Sequence, residues 1–134
     1  MATASVAIHL SEVSFRAALA ALKISKTFSR QVQSPSAAYQ AVLNHLDRAG
    51  LFRSLSLHVA ANGEGSTEWS FGNPSELSVP SLVAAHSNSS VVVNAAAEPA
   101  TTGNTELLRL TLDYLVQQTA MFATREWLQT ANRN

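Results

Sequence analysis

Four histidines are the residues of this chain best suited to bind a metal ion or to act as a general base: His9, His45, His58 and His86. A metal site on one helix needs two ligands about one turn apart, and no histidine here has a second ligand at that spacing. The chain also contains no cysteine, which excludes disulfides, thiolate nucleophiles and cysteine-bound zinc. We therefore expect neither a metal ion nor another cofactor.

Catalytic groups are equally hard to find. A serine nucleophile needs a neighbouring base, and no serine lies in a Gly-x-Ser-x-Gly segment. Asp47 and Glu126 fall in predicted helices without a second carboxylate at a spacing suited to general acid–base catalysis. The sequence therefore predicts no catalytic residues and a protein that is not an enzyme.

One group of side chains could bind a small ligand. His58 lies in a segment that alternates apolar and polar residues, and Trp69 and Glu68 follow across a predicted hairpin. Asn73 comes just after the second strand of that hairpin. Two interpretations stay open. Either His58 and Trp69 form a cross-strand pair that only stabilises the sheet, or His58, Trp69 or Asn73 face a shallow groove that binds a small ligand.

The composition limits the classes of partner. Nine basic and nine acidic residues cancel, and Lys and Arg form no run, so we expect no direct contact with nucleic acid. Only 13% of the residues are charged and 46% are hydrophobic, which predicts that part of the surface is an interface.

The length of 134 residues corresponds to one domain. No stretch approaches the roughly 20 apolar residues that span a bilayer, and the first residues lack a secretory signal. We therefore expect a cytoplasmic protein without membrane contact. The last helical segment reaches the end of the chain without a stop signal, so we expect residues 1–134 to be one domain of a longer protein.

Three helices are predicted from periodicity and capping. Ser11 followed by Glu12 indicates a helix start, and this helix should run to about residue 33. Ser34 with Pro35 starts the second helix, which should end near Gly50. The third helix should run from residue 104 to about residue 129, with Asn104 or Thr102 as its cap.

Four strands are predicted between the second and third helices. Residues 55–71 alternate around a turn at residues 62–65 and indicate a hairpin. Residues 76–83 predict a strand that lies at an edge or is bulged at Pro80, because Pro80 cannot donate to a neighbour. Residues 90–97 predict a strand covered on both faces, since Val91, Val92 and Val93 are consecutive. The fold class is therefore α+β: a four-stranded antiparallel sheet with the N-terminal and C-terminal helices packed on one face.

The order of these segments resembles a GAF domain. Residues 75–80, ending in Val79 and Pro80, are similar to the family strand that ends in a Val-Pro pair, and residues 90–96 to its last strand. Residues 104–108, in which Glu106 precedes two leucines, are similar to the start of its last helix. Residues 21–35, 39–46 and 55–60 resemble the family's dimer helix, first core helix and first strand. Very few residues separate Phe71 from Leu77, where the family places its pocket-building elements, so the resemblance is to a minimal form.

The resemblance implies a regulatory module that forms a homodimer and is joined to an output domain or a partner protein. It implies dimerisation through the first and last helices, and the apolar faces of these helices suggest the same interface. The predicted interface residues are Leu19, Leu22, Leu112, Leu115, Phe122 and Trp127, with Arg125 and Glu126 at the rim. Two alternatives stay open: the last helix folds back on its own core, or the domain senses a small molecule such as a cyclic nucleotide.

Overall fold

Three helices and four strands make up the part of the chain that the structure describes. The computed structural model describes residues 2–29, 34–63, 65–73, 81–100 and 104–133, with side chains from Glu12 to Gln129 within these ranges. The elements are α1 (Ala2–Ser29), α2 (Pro35–Ala49), β1 (Phe52–Ala61), β2 (Gly65–Phe71), β3 (Leu82–Ser87), β4 (Val91–Pro99) and α3 (Thr105–Arg133).

The four strands form one sheet in the order β2-β1-β4-β3, and each neighbouring pair is antiparallel. Helices α2 and α3 pack on one face of this sheet, and α1 packs mainly on α2 and α3. The predicted α+β class, the antiparallel sheet and the terminal helices are therefore confirmed. The helices lie in two layers, so α1 forms the outside of the molecule.

Apolar periodicity explains this layering. In α1 the buried residues recur every three or four positions, which gives a single buried side. They are Val13, Ala17, Ala20, Ile24 and Phe28. In β1 the buried Leu55, Leu57 and Val59 alternate with more exposed residues, so only one face of the sheet is covered.

Four aromatic rings join the helices to the sheet. The ring centroid of Phe28 in α1 lies 4.8 Å from that of Phe122 in α3 and 5.9 Å from that of Tyr39 in α2. Tyr39 in turn lies 4.4 Å from Trp69 in β2 and 5.4 Å from Phe122. We call these four residues the aromatic cluster. All three helices and one edge strand meet in it.

The helix boundaries differ from prediction at two places. Helix α1 begins at Ala2, so Ser11 is not its cap; the alanine-rich segment before Ser11 favours helix. Glu12 instead accepts a hydrogen bond from Arg16 at 2.5 Å, one turn later. The predicted end near residue 33 lies outside the described residues. Helix α3 runs to Arg133, beyond the expected end.

The second helix has the predicted ends. Pro35 lies in its first turn, and Gly50 follows it with a φ of 70° in the left-handed region. None of the described helices combines the length and the apolar character needed to span a membrane.

The last two strands correct the sequence prediction. Val91 and Val93 are buried but Val92 is 42% exposed, so the described part of β4 is covered on one face only. Its valines reflect the β-propensity of branched side chains, not burial on both sides. Strand β3 begins at Leu82, and residues 76–80 of the predicted strand lie outside the described residues. Val79 and Pro80 lie outside the described residues, as does Thr102.

We expect Gly72→Ala to destabilise the protein by about 3 kcal/mol or more. Gly72 has a φ of 74°, and a Cβ there would clash with the Arg53 carbonyl oxygen and lie 2.9 Å from the Ser54 Cα. Gly63→Ala is the matched control, because Gly63 has a φ of 82° with open space around it, and should cost only about 1 kcal/mol. Urea unfolding measures both, and equal losses would contradict the clash.

Candidate functional site

The three predicted ligand-binding residues do not form one site. His58 pairs with Glu68 across the hairpin, whereas Trp69 pairs with Leu57. Successive side chains of a strand point to opposite faces, so His58 lies on the open face of the sheet and Trp69 on the face covered by helices. Asn73 is exposed and follows the end of β2. His58 and Trp69 therefore do not share one groove, and the predicted cross-strand pair of these two residues is wrong.

On the open face, His58 is half-buried among small side chains. A depression of about 320 Å³ lies beside it and includes Ser56, Ala85, Asn94 and Ala96. Among the side chains that the structure describes, no three histidine or carboxylate groups converge as in a metal centre. The open face therefore offers one imidazole and no grouping that would hold a ligand firmly.

Three of the predicted interface residues belong to the core of the chain itself. Leu112, Leu115 and Phe122 are buried, because α3 has the sheet on one side and α1 on the other. Trp127 is half-buried, and its indole Nε1 donates to the Asn62 carbonyl oxygen at 3.0 Å. A partner cannot reach Leu112, Leu115 or Phe122 without unfolding the domain. Helix α3 folds back on its own core.

The first helix carries the remaining predicted interface residues on its solvent side. Leu19 and Leu22 are 39% and 60% exposed, and Phe15, one turn before Leu19, is 67% exposed. At 100° per residue, Phe15 and Leu22 point almost directly away from the buried side of α1. We call Phe15, Leu19 and Leu22 the outer stripe, and it is the candidate functional surface.

Contacts with α3 hold the outer stripe in place. The Ser25 hydroxyl is hydrogen-bonded to the Tyr114 hydroxyl. Arg125 donates to the Phe28 carbonyl oxygen at 2.8 Å, and its guanidinium carbon lies 6.0 Å from the centre of the Phe122 ring. A cation at the last turn of a helix satisfies a free carbonyl and opposes the helix dipole. Arg125 therefore caps α1 instead of lining an interface, a role that its position in the sequence does not show.

The fold changes the environment of one phenol, that of Tyr39. Burial, with a smaller effect of the Glu126 carboxylate, raises the pKa of Tyr39 well above its ordinary value of 10.0. The folded chain thus favours the neutral phenol in the middle of the aromatic cluster.

Comparisons of the chain with protein families, with curated proteins and with solved structures found no match. The resemblance to GAF domains accordingly stays a prediction. Function has to be inferred from the surfaces that the fold exposes and from the contacts that hold them.

We expect Leu115→Ala to lower the free energy of unfolding by about 3 kcal/mol, since it leaves a cavity between α3 and the core. Leu110→Ala is the matched control on the same helix, because Leu110 is 62% exposed; it should change the free energy by less than about 0.5 kcal/mol. Chemical denaturation measures both variants. Similar losses would show that Leu115 is not a core residue.

We expect the stability of the wild-type protein to fall more steeply with alkaline pH than that of Tyr39→Phe. The pKa of Tyr39 is raised in the folded state, so its contribution is complete below the ordinary pKa of 10.0. This contribution to stability is lost as the pH rises from 10.0 through the pKa of Tyr39 in the folded state, because the phenol ionises at a lower pH in the unfolded chain than in the folded chain. Urea unfolding of both proteins on either side of pH 10 tests this; parallel profiles would contradict it.

Proposed function

We propose that this chain is a GAF-like regulatory module that homodimerises and relays a change of state to an attached output domain or partner protein. The observation that carries the proposal is the outer stripe of α1. A solvent-facing helix side is normally polar, whereas this one has three large apolar side chains in successive turns. Such a stripe is stabilised when a second apolar surface covers it.

A second copy of the chain fits the stripe, because a two-fold interface must be complementary to itself. With two α1 helices antiparallel and the axis passing between Ala18 and Leu19, Phe15 meets the partner's Leu22, and the reverse contact forms at the other end. The same register brings Glu12 within a turn of the partner's Lys26, which adds opposite charges at the rim. Complete burial of each large side chain would contribute about 2 kcal/mol.

The contacts between α1 and α3 supply the means of relay. Phe28 packs on Phe122, Ser25 is bonded to Tyr114, and Arg125 caps the end of α1. A change in the crossing angle or register of the paired α1 helices would therefore displace α3 with them. We assign the predicted interface to α1 alone, in place of α1 and α3 together.

The proposed setting is the cytoplasm, with no direct contact to nucleic acid. A net charge of zero supports the absence of direct contact with nucleic acid. The absence of cysteine from the sequence is compatible with a reducing compartment. The signal would pass through the contacts between α1 and α3.

We expect native mass spectrometry at a concentration on the order of tens of micromolar to give twice the chain mass of 14.3 kDa. Phe15→Ser combined with Leu22→Ser should weaken dimerisation at least about tenfold, since two buried contacts per protomer are lost. Val83→Thr is the control, because Val83 is 70% exposed on the open face of the sheet.

The control variant should remain a dimer, and light scattering during gel filtration provides an independent measurement of mass. Circular dichroism before and after substitution separates loss of association from loss of fold. A wild-type monomer, or a dimer that the double substitution leaves intact, would overturn the proposal.

A further inference from the structure

Both tryptophans of the chain line one small cleft on the helix-covered side of the hairpin. The cleft encloses about 240 Å³ between the first turn of α2, the hairpin β1–β2 and the later part of α3, and it is lined by Tyr39, Trp69, Trp127, Glu126, Ser36 and Thr67 among others. Drug-sized ligands occupy roughly 300–1,000 Å³. The cleft therefore has room for a small molecule or for one group of a larger molecule.

The aromatic walls of the cleft are held in place. Tyr39 and Trp69 lie with their ring centroids 4.4 Å apart and their planes tilted by 38°. The hydrogen bond from Trp127 to the Asn62 carbonyl ties that indole to the end of β1. Trp69 and Trp127 are both half-buried. The rings are thus fixed in advance, which lowers the entropy that a ligand must overcome.

The cleft includes a carboxylate. Among the described residues that line the cleft, Glu126 is the one charged side chain, and it is half-buried. Its carboxylate acts on Tyr39, where it adds to the effect of burial in raising the pKa of the phenol.

We infer that this cleft binds a small organic cation of the trimethylammonium class, against Trp69 and Trp127 and beside Glu126. The faces of aromatic rings attract cations, and tryptophan does so most strongly. Val59 and Ala123, which also line the cleft, give methyl groups apolar contacts. A hard metal ion is a poor fit, because it needs six or more oxygen ligands and the cleft has one carboxylate. The site is separate from the outer stripe and does not rest on dimerisation.

Choline and its neutral isostere 3,3-dimethylbutan-1-ol are the probes that test this inference. The chain has two tryptophans and both line the cleft, so tryptophan fluorescence reports on this site alone. We expect a saturable change with choline, with a dissociation constant on the order of millimolar. The isostere should bind at least about fivefold more weakly, because it has the same shape without the charge.

Glu126→Gln should weaken choline binding at least about fivefold and reduce the preference for choline over the isostere, because the attraction of the cation to the carboxylate is lost while that to the tryptophan rings remains. Glu68→Gln is the matched control, since Glu68 lies next to Trp69 on the opposite face of β2, and it should bind like the wild type. Trp127→Leu should weaken binding by a similar factor, and the fluorescence of Trp69 remains available to measure it. If Trp127→Leu unfolds, the Glu126 variant decides.

Three results would overturn the inference: no saturable change with choline, equal affinity for the neutral isostere, or wild-type affinity in Glu126→Gln. A monomeric wild-type protein would leave it intact, because no residue of the outer stripe lines the cleft. Conversely, loss of choline binding in a protein that still dimerises would count against the cleft and not against the dimer.

Discussion

Packing within the aromatic cluster is the constraint on which the rest of the structure depends. Helix α1 packs mainly on the other two helices, so its position relative to the sheet is set indirectly, through Phe28 against Tyr39 and Phe122. Tyr39 in turn packs against Trp69 in the sheet. Aromatic pairs at these distances contribute about 0.5–1.5 kcal/mol each to stability, beyond the contribution of their buried area. The hydrogen bond from Arg125 to the Phe28 carbonyl and the hydrogen bond between Ser25 and Tyr114 then fix the rotation of α1 about its axis.

The two proposed surfaces lie on opposite sides of this cluster. The outer stripe belongs to the helix that carries Phe28, and the cleft is bounded by Tyr39 and Trp69. A continuous line of ring contacts, from Trp69 through Tyr39 to Phe28, connects them. Such a chain of packed side chains can transmit a displacement if the elements have two discrete arrangements. The proposed dimerisation and the proposed ligand binding do not depend on each other, but both surfaces adjoin residues of the aromatic cluster.

Sequence periodicity predicted the helices and strands more accurately than it predicted which residues contact one another. The hairpin, the ends of α2 and the fold class follow from alternation and from the Pro35 and Gly50 caps. The expected pairing of His58 with Trp69 was wrong because the register of the hairpin differs by one residue. A turn over residues 62–65 would place His58 opposite Trp69. In the structure Ala61 pairs with Gly65, which places His58 opposite Glu68. A slip of one residue moves side chains to the other face. In α3, which packs on the sheet on one side and on α1 on the other, apolar residues lie on more than one side of the helix. The pattern therefore could not separate core leucines such as Leu115 from interface residues.

The distribution of exposed apolar side chains favours α1 over the sheet as the proposed association surface. The open face of the sheet carries Val83 and Val92, which lie at opposite ends of the antiparallel pair β3–β4. Val83 pairs with Ala96, and Val92 pairs with Ser87. Small or polar side chains such as Ser56 and Asn94 lie between them, so this face has no continuous apolar area. Isolated exposed valines are ordinary on protein surfaces. On α1 the exposed apolar residues follow one another in successive turns. Because the chain has few charged residues, there is little charge repulsion to oppose contact between two copies of this helix. The low charge predicts an interface, and the continuity of the apolar side chains favours α1 as the helix that would form it.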